Sequence, residues 1–307
     1  MSSVFGKLFT LSSWGESHGK AIGAVVDGCP AGLEISEEYI QHFLDRRRPG
    51  QSAITTQRKE SDAVKIMSGV FEGKTTGTPI SMLVENADQH SADYEQIKDW
   101  WRPGHADEAY DSKYGFRDYR GGGRSSARET IARVAAGSIA RKFLKEKCGT
   151  EFTATINIDN NSIENAKKNG DSIGGIVSLI IKNPPKNLGE PVFDRTEALL
   201  AMAMLSIPAT RGFEIGKGFE AANMLGSEHN KFADGTYGGI TSGEDILCRI
   251  AFKPTPSISK MQMAKNKNGQ IGEISIKGRH DPCVAVRAPV IVESMAALVL
   301  MDLWLQL

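Results

Sequence analysis

From Gly121 to Lys147 the chain reads GGGRSSARETIARVAAGSIARKFLKEK, and its part after Ser126 has the period of one long amphipathic helix. Ala127, Ile131, Ala135, Ile139 and Phe143 recur every fourth residue with Val134 beside them, while Glu129, Arg133, Arg141 and Lys145 take another face. The many alanines and Gly137 suit close packing against other helices. The front of the stretch differs. Three glycines let backbone approach another group closely, and Arg124, Ser125, Ser126 and Arg128 follow where the helix begins. A helix start offers unpaired N–H groups and a partial positive charge. Two guanidinium groups and two hydroxyls there form a candidate site for a phosphate or carboxylate. The alternative is an ordinary serine cap with solvated arginines.

Working outward, Ile22 to Val26 reads as a strand and Ser36 to Arg47 as a helix capped by Ser36. Ala63 to Phe71 and Thr78 to Val84 read as two strands of a hairpin around the turn from Glu72 to Gly77. Beyond the long helix, Ile176 to Ile181 is a β-branched run, Arg195 to Leu205 is helical, and Ile246 to Phe252 and Gly272 to Lys277 are strands. The apolar stretch from Val290 to Leu305 contains Glu293, Ser294 and Asp302, so it reads as a core helix rather than a membrane span. Hairpin strands grouped apart from helices indicate an α+β fold. No linker or repeat divides residues 1–307, which read as one domain.

The 37 basic and 37 acidic residues cancel, which argues against a general nucleic-acid binder, since such proteins are usually basic. Concentrated arginines in a neutral protein suit a small anionic ligand instead. Cys29, Cys148, Cys248 and Cys283 form no CxxC pair, and the six histidines show no HxxxH spacing, so neither a metal site nor a disulfide framework is indicated. With no signal peptide and no apolar run of membrane length, the expectation is a reduced, cytoplasmic protein without a membrane partner.

Four further motifs carry chemistry. Gly15-Glu16-Ser17-His18-Gly19 fits the G-x-S-x-G of a hydrolase elbow, but an elbow needs a strand inside an established sheet before it, and little chain precedes this one. His18 could equally serve as a general acid in a tight polar turn, or be incidental there. Arg102 to Asp107 places Arg102 and His105 in another turn. Arg46-Arg47-Arg48-Pro49-Gly50 ends a helix where the dipole favours cations anyway, and a solvated face is the local reading. Arg279-His280-Asp281 sets a carboxylate beside two cationic types after a strand. Together these suit acid–base chemistry on a multiply charged anion. A serine hydrolase using Ser17 and an RNA binder using the Arg/Gly run, with steep salt dependence, are the rival classes.

In this order the motifs resemble those of the chorismate synthases. The matching stretches are Gly15 to Gly19, Arg46 to Gly50 with Thr55-Thr56-Gln57-Arg58, Arg102 to Asp107, Gly122 to Thr130, Lys253-Pro254-Thr255-Pro256-Ser257, and Arg279 to Pro282. The resemblance is nearly continuous over residues 1–147 and resumes over about 171–305. It implies helices packed between two antiparallel sheets, usually as a homotetramer. It implies anti 1,4-elimination of phosphate from 5-enolpyruvylshikimate 3-phosphate, giving chorismate, with reduced FMN and no net redox change. NAD(P)H enters only as a source of electrons. By the same resemblance Ser17, Arg48, Arg58, Arg102, Ser126, Arg128 and Arg279 meet the substrate. His18, His105 and Asp281 handle protons, and Arg124, Ser125, Ser126, Ala127, Lys253, Ser257 and His280 meet the flavin.

Two stretches depart from the family pattern by being shorter, Cys148 to Asp171 and His229 to Gly238. In the second, the family carries an Asn-Asn-x-Gly-Gly segment touching flavin, whereas this chain reads Asn230-Lys231-Phe232-Ala233-Asp234-Gly235. Flavin contact at that place is left open.

Overall fold

The computed structural model of the chain describes residues 3–48, 50, 61–86, 95, 97–232, 234–276 and 281–307. Two antiparallel sheets enclose a layer of helices. The first sheet runs β1 (Val4–Phe5), β2 (Thr10–Trp14), β3 (Ala21–Asp27), β7 (Ile80–Glu85), β4 (Val64–Ile66). The second runs β11 (Thr210–Ile215), β14 (Ile246–Phe252), β10 (Gly175–Lys182), β9 (Glu151–Asn157). Between them lie α3 (Thr130–Cys148) and α7 (Pro289–Trp304), α3 against β2, β3 and β7 and α7 against β9 and β10. The helices α1 (Glu37–Arg47) and α5 (Thr196–Leu205) flank this pair. A small sheet of β8 (Trp100–Trp101), β15 (Gln262–Asn266) and β16 (Ile271–Ile274) lies apart from both. The hairpins β5 (Val70–Phe71) with β6 (Lys74–Thr75) and β12 (Thr236–Tyr237) with β13 (Ile240–Thr241), and helices α2 (Asp107–Tyr114), α4 (Asn160–Lys168) and α6 (Gly226–His229), complete the elements.

Side-chain alternation explains which face each strand buries. Val177, Leu179 and Ile181 of β10 and Ile246, Cys248, Ile250 and Phe252 of β14 point inward, while their neighbours face out. Helix α7 is apolar all round because it is covered all round. Gly137 lets it approach α3: a Cβ there would lie 2.4 Å from that of Ser294. Each buried carboxylate of α7 has a use. Glu293 accepts from both terminal nitrogens of Arg46 at 2.8 and 2.9 Å, from Arg141 at 2.5 Å and from the Ala154 N–H at 2.9 Å. Asp302 accepts from the N–H groups of Lys7, Leu8 and Phe9 at 2.7–2.9 Å. These contacts are why an otherwise apolar stretch contains acidic residues. Among the described residues no helix is long and apolar enough to cross a membrane.

The α+β reading holds, with local differences. The long α-helix begins at Thr130 rather than directly after Ser126; the residues before it make two single 3₁₀ turns, Gly123–Ser125 and Ala127–Glu129, with Ser126 capping the second. The first strand of the expected hairpin is broken at Met67–Gly69, so that β4 pairs with β7 and β5 turns back on β6. Gly69 sits at φ +80°, where a Cβ would strike the Ile80 backbone at 2.7 Å. The shortened stretch after Cys148 closes directly: Gly149 ends α3 at φ +70° and β9 begins at Glu151.

Candidate active site

Loops from both sheets meet around a cavity of about 420 Å³. One wall is the turn after β2, carrying His18, and the C-terminal end of α1, carrying Arg47. Another is the turn between β8 and α2 with Arg102 and His105. The run before α3 supplies Gly121, Ser125, Ser126, Ala127 and Arg128. The far wall is built from the α5–β11 turn, the segment Lys253 to Ser257 after β14, and Asp281 with Arg287 before α7. Ten of the residues singled out in the sequence therefore face one space: His18, Arg102, His105, Ser125, Ser126, Ala127, Arg128, Lys253, Ser257 and Asp281. Ser17 stands behind His18, almost fully buried, with its Oγ 3.1 Å from the ring Nδ1.

Others go elsewhere. Arg124 turns back to the first sheet, donating to Ser13 Oγ at 2.7 Å and to the Gly15 carbonyl at 3.1 Å. Arg48 is 39% exposed and pairs with Asp45 at 3.5 Å, while its neighbour Arg47, 2% exposed, lines the cavity. The arginine triplet is a solvated face only in part: Arg46 and Arg48 stay partly exposed, on Glu293 and Asp45, while Arg47 turns inward. Arg58, Arg279 and His280 lie outside the described residues. The Gly15–Gly19 turn joins two strands, β2 and β3, rather than a strand to a helix, so it is not a hydrolase elbow.

The glycine run does bring backbone close to other groups, and those groups are histidine rings. A Cβ on Gly121, at φ +63°, would lie 2.1 Å from His18 Cε1 and 2.3 Å from its Nδ1. A Cβ on Gly122, at φ +95°, would lie 2.9 Å from His105 Cε1. Two successive glycines thus seat the two histidine rings, which come from turns far apart in the chain. Positive φ and absent side chain are both needed there.

Paired carboxylates fix the arginines from behind. Buried Asp62 accepts from Arg47 at 2.6 Å and from Arg128 at 2.8 Å. Arg128 Nε donates to Asn86 at 2.5 Å, and the Asn86 amide donates to the Glu16 and Gly19 carbonyls, tying the His18 turn to Arg128. Asp107 grips Arg102 through two bonds of 2.7 and 2.8 Å and lies 2.8 Å from His105 Nδ1. The same Nδ1 also lies 3.1 Å from Arg102 Nη2, so it stands between a carboxylate, which only accepts, and a guanidinium, which only donates. Arg287 pairs with Asp281.

Burial pushes the pKa of His105 below its ordinary value, and the nearby Arg102 and Arg117 add to this against the pull of Asp107. Burial alone would raise the Asp62 carboxyl, but Arg47 and Arg128 outweigh it and hold the group ionised. Asp107 is likewise lowered against its burial, by the bonds from Arg102 and His105. Lys253 is lowered by burial and by Arg211.

The result is a surplus of positive charge. Among the described residues Arg47, Arg102, Arg128, Arg211, Lys253 and Arg287 line the cavity beside a single lining carboxylate, Asp281. Among the described residues three buried donor atoms there have no partner: Arg47 Nε, Arg287 Nε and the Thr255 hydroxyl. Such atoms are costly unless a ligand completes them. The cavity therefore fits phosphorylated, carboxylated ligands, a flavin mononucleotide phosphate among them. Among the described residues no His, Cys, Asp and Glu side chains cluster as a metal site. Sequence reading missed Arg47, Asp62, Asn86, Arg211 and Arg287. Only Arg47, in the arginine triplet, and Arg287, shortly after Asp281, stood near a signal.

Comparisons with known proteins agree with this geometry. The family model for chorismate synthase matches residues 9–161 and 157–305. A chorismate synthase of Christiangramia forsetii is 51% identical, the alignment covering 98% of this chain and 97% of the relative. One of Lachnoclostridium phytofermentans is also 51% identical, over 99% of this chain and 95% of its own. The first alignment spans 343 positions against 307 residues here, so that relative carries segments this chain lacks. A crystal structure of chorismate synthase superposes with a TM-score of 0.75 at 30% identity, covering 98% of this chain and 93% of that one. With the motifs, the fold and near full-length relatives in agreement, this chain belongs to the chorismate synthase family.

Proposed function

We propose that the cavity is where this chain, as a chorismate synthase, removes phosphate and a ring hydrogen from 5-enolpyruvylshikimate 3-phosphate. As a member of its family the chain is a lyase of the shikimate pathway. The observation that carries the assignment to this cavity is its charge: among the described residues six cations line it beside one carboxylate, with Asp62 and Asp107 behind three of them, and the substrate brings two carboxylates and a phosphate. Arg47, Arg102 and Arg128, each locked by a buried acid, would bind these anions without having to rearrange. The leaving phosphate departs with the electrons of its C–O bond, and His18, held by Ser17 and Gly121, donates a proton to it. Asp281, gripped by Arg287, takes the ring hydrogen as a proton. Ser125, Ser126, Ala127, Lys253 and Ser257 would hold FMN, and His105, which lines the same cavity, would handle a proton there; the resemblance adds His280 for the flavin and Arg279 for the substrate. Reduced FMN, when bound, supplies a reversible electron donor for the elimination with no net redox change.

The same reading takes NAD(P)H only as the source of flavin electrons, residues 1–307 as one domain, and the protein as a cytoplasmic homotetramer. Anaerobic turnover with FMN and dithionite tests it. Many chorismate molecules should form per flavin, and none with oxidised FMN. One flavin oxidised per product would overturn the mechanism, and absence of turnover would overturn the assignment.

A further inference from the structure

The α5–β11 turn delivers a cation to the cavity in an unusual way. Thr210 pairs with Phe252 and Gly212 with Ala251, so Arg211 is the extra residue of a β-bulge. Bulges beside active sites re-aim a side chain. The residue two before it, Ala209, holds φ +71°, a region non-glycine residues seldom adopt. The Ala209 carbonyl accepts from the Lys253 N–H at 2.9 Å, which fastens this turn to the Lys253 segment. Among the described residues neither Arg211 nor Lys253 pairs with a carboxylate. Arg211 makes a single weak bond, 3.4 Å, to the carbonyl of its own neighbour Thr210, and Lys253 donates to the Gly104 carbonyl at 2.6 Å. Arg211 is close enough to lower the Lys253 ammonium pKa. Two residues on, the buried Thr255 hydroxyl has no partner among the described residues. Two uncompensated cations and an unfilled hydroxyl on one wall match a phosphate monoester, which offers two charges and three acceptor oxygens.

We propose that Arg211, carried on this bulge, is a phosphate-binding residue that acts with Lys253 and Thr255. The inference rests on the cavity being the chorismate synthase site. Either phosphate monoester of that reading, on FMN or on the substrate, has the required chemistry. The full-length wild type, Arg211→Ala and Arg211→Lys should be titrated with FMN, riboflavin and 5-enolpyruvylshikimate 3-phosphate, following flavin fluorescence. Arg249→Ala on β14, whose side chain pairs with Glu214, is the control. Loss of a charge-assisted contact should weaken binding roughly tenfold. Weaker FMN with unchanged riboflavin in Arg211→Ala assigns the contact to the cofactor. Weaker substrate with both flavins unchanged assigns it to the substrate. Arg211→Lys should fall between wild type and Arg211→Ala, because charge remains and the fork is lost. Affinities all within twofold of wild type, or equal losses for FMN and riboflavin, overturn the proposal. Failure of the wild type itself to bind FMN or substrate overturns the underlying reading of the cavity, a separate result.

Discussion

Replacing Gly121 by alanine tests whether the glycine run seats His18. The new Cβ would stand 2.1 Å from Cε1 of a ring that is only 6% exposed. Carbon atoms in contact stay about 3.5–4.0 Å apart, so the ring must retreat by more than roughly 1 Å. A displacement of that size costs on the order of 10²-fold in turnover, or about 2.7 kcal/mol of barrier. Alanine at φ +63° also carries about 1–2 kcal/mol of backbone strain. Gly73→Ala separates the two effects: Gly73 sits at φ +75° with nothing within 4 Å of a Cβ. Both variants should lose a few degrees of melting temperature, and only Gly121→Ala should lose turnover in the anaerobic chorismate assay. Adding His18→Ala to Gly121→Ala should cost little more, because both act through one ring. Equal turnover of Gly121→Ala and Gly73→Ala would refute the reasoning.

Asp62→Ala leaves Arg47 and Arg128 buried without their shared carboxylate and should cost about 3–5 kcal/mol in urea unfolding; a loss below about 1 kcal/mol would show the arginines repaired without it. Since the Asp62 and Asp107 pKa values are lowered in the fold, their stabilisation is complete above the ordinary value of 3.8 and disappears as pH falls below it, so Asp62→Asn should flatten the acid limb of a stability–pH curve. Because the His105 pKa is lowered in the ligand-free chain, an anionic ligand should raise it and draw in a proton near pH 6.5. Calorimetry in two buffers of different ionisation enthalpy should show this uptake in wild type and less of it in His105→Gln; identical uptake would remove His105 from the account. Arg128→Lys cannot reach Asn86 and Asp62 together and should weaken substrate use by about tenfold or more; unchanged kinetics would make the fork irrelevant.

Periodicity and turn chemistry made much of the scaffold legible. The strand Ile246–Phe252 and the Ser36 cap of α1 lie where the pattern places them, and Gly137 does meet a helix. Where apolar and turn signals were weak, elements went unread: β9, with Thr153, Thr155 and Asn157 on its outer face, and β11, which a bulge interrupts. The start of α3 was placed too early because a 3₁₀ turn and an α turn share serine caps and apolar spacing over so few residues. The histidines and Arg102 announced themselves through glycine- and proline-rich turns. The residues that hold them did not. Asp62 and Asn86 act only through folding, which brings them to Arg128 from 66 and 42 residues away. The arginine triplet shows the limit most clearly: one helical turn gives three arginines three environments, and only the partners Glu293, Asp62 and Asp45 decide which is which.

The carboxylate of Glu293 has a consequence for how the protein is made. It joins α1, α3 and β9 at one point on α7, and the Arg46 it holds sits next to Arg47. Asp302 of the same helix fastens the turn at residues 7–9. During synthesis, at about 5–20 residues per second, both sheets and α3 exist before α7 does. Until α7 emerges, the inner face of the second sheet lacks its cover, and the arginine that feeds the cavity lacks its neighbour's anchor. Assembly of the pocket therefore waits until α7 is available. A nascent chain of this protein should be a better client for chaperones than its finished stability would suggest.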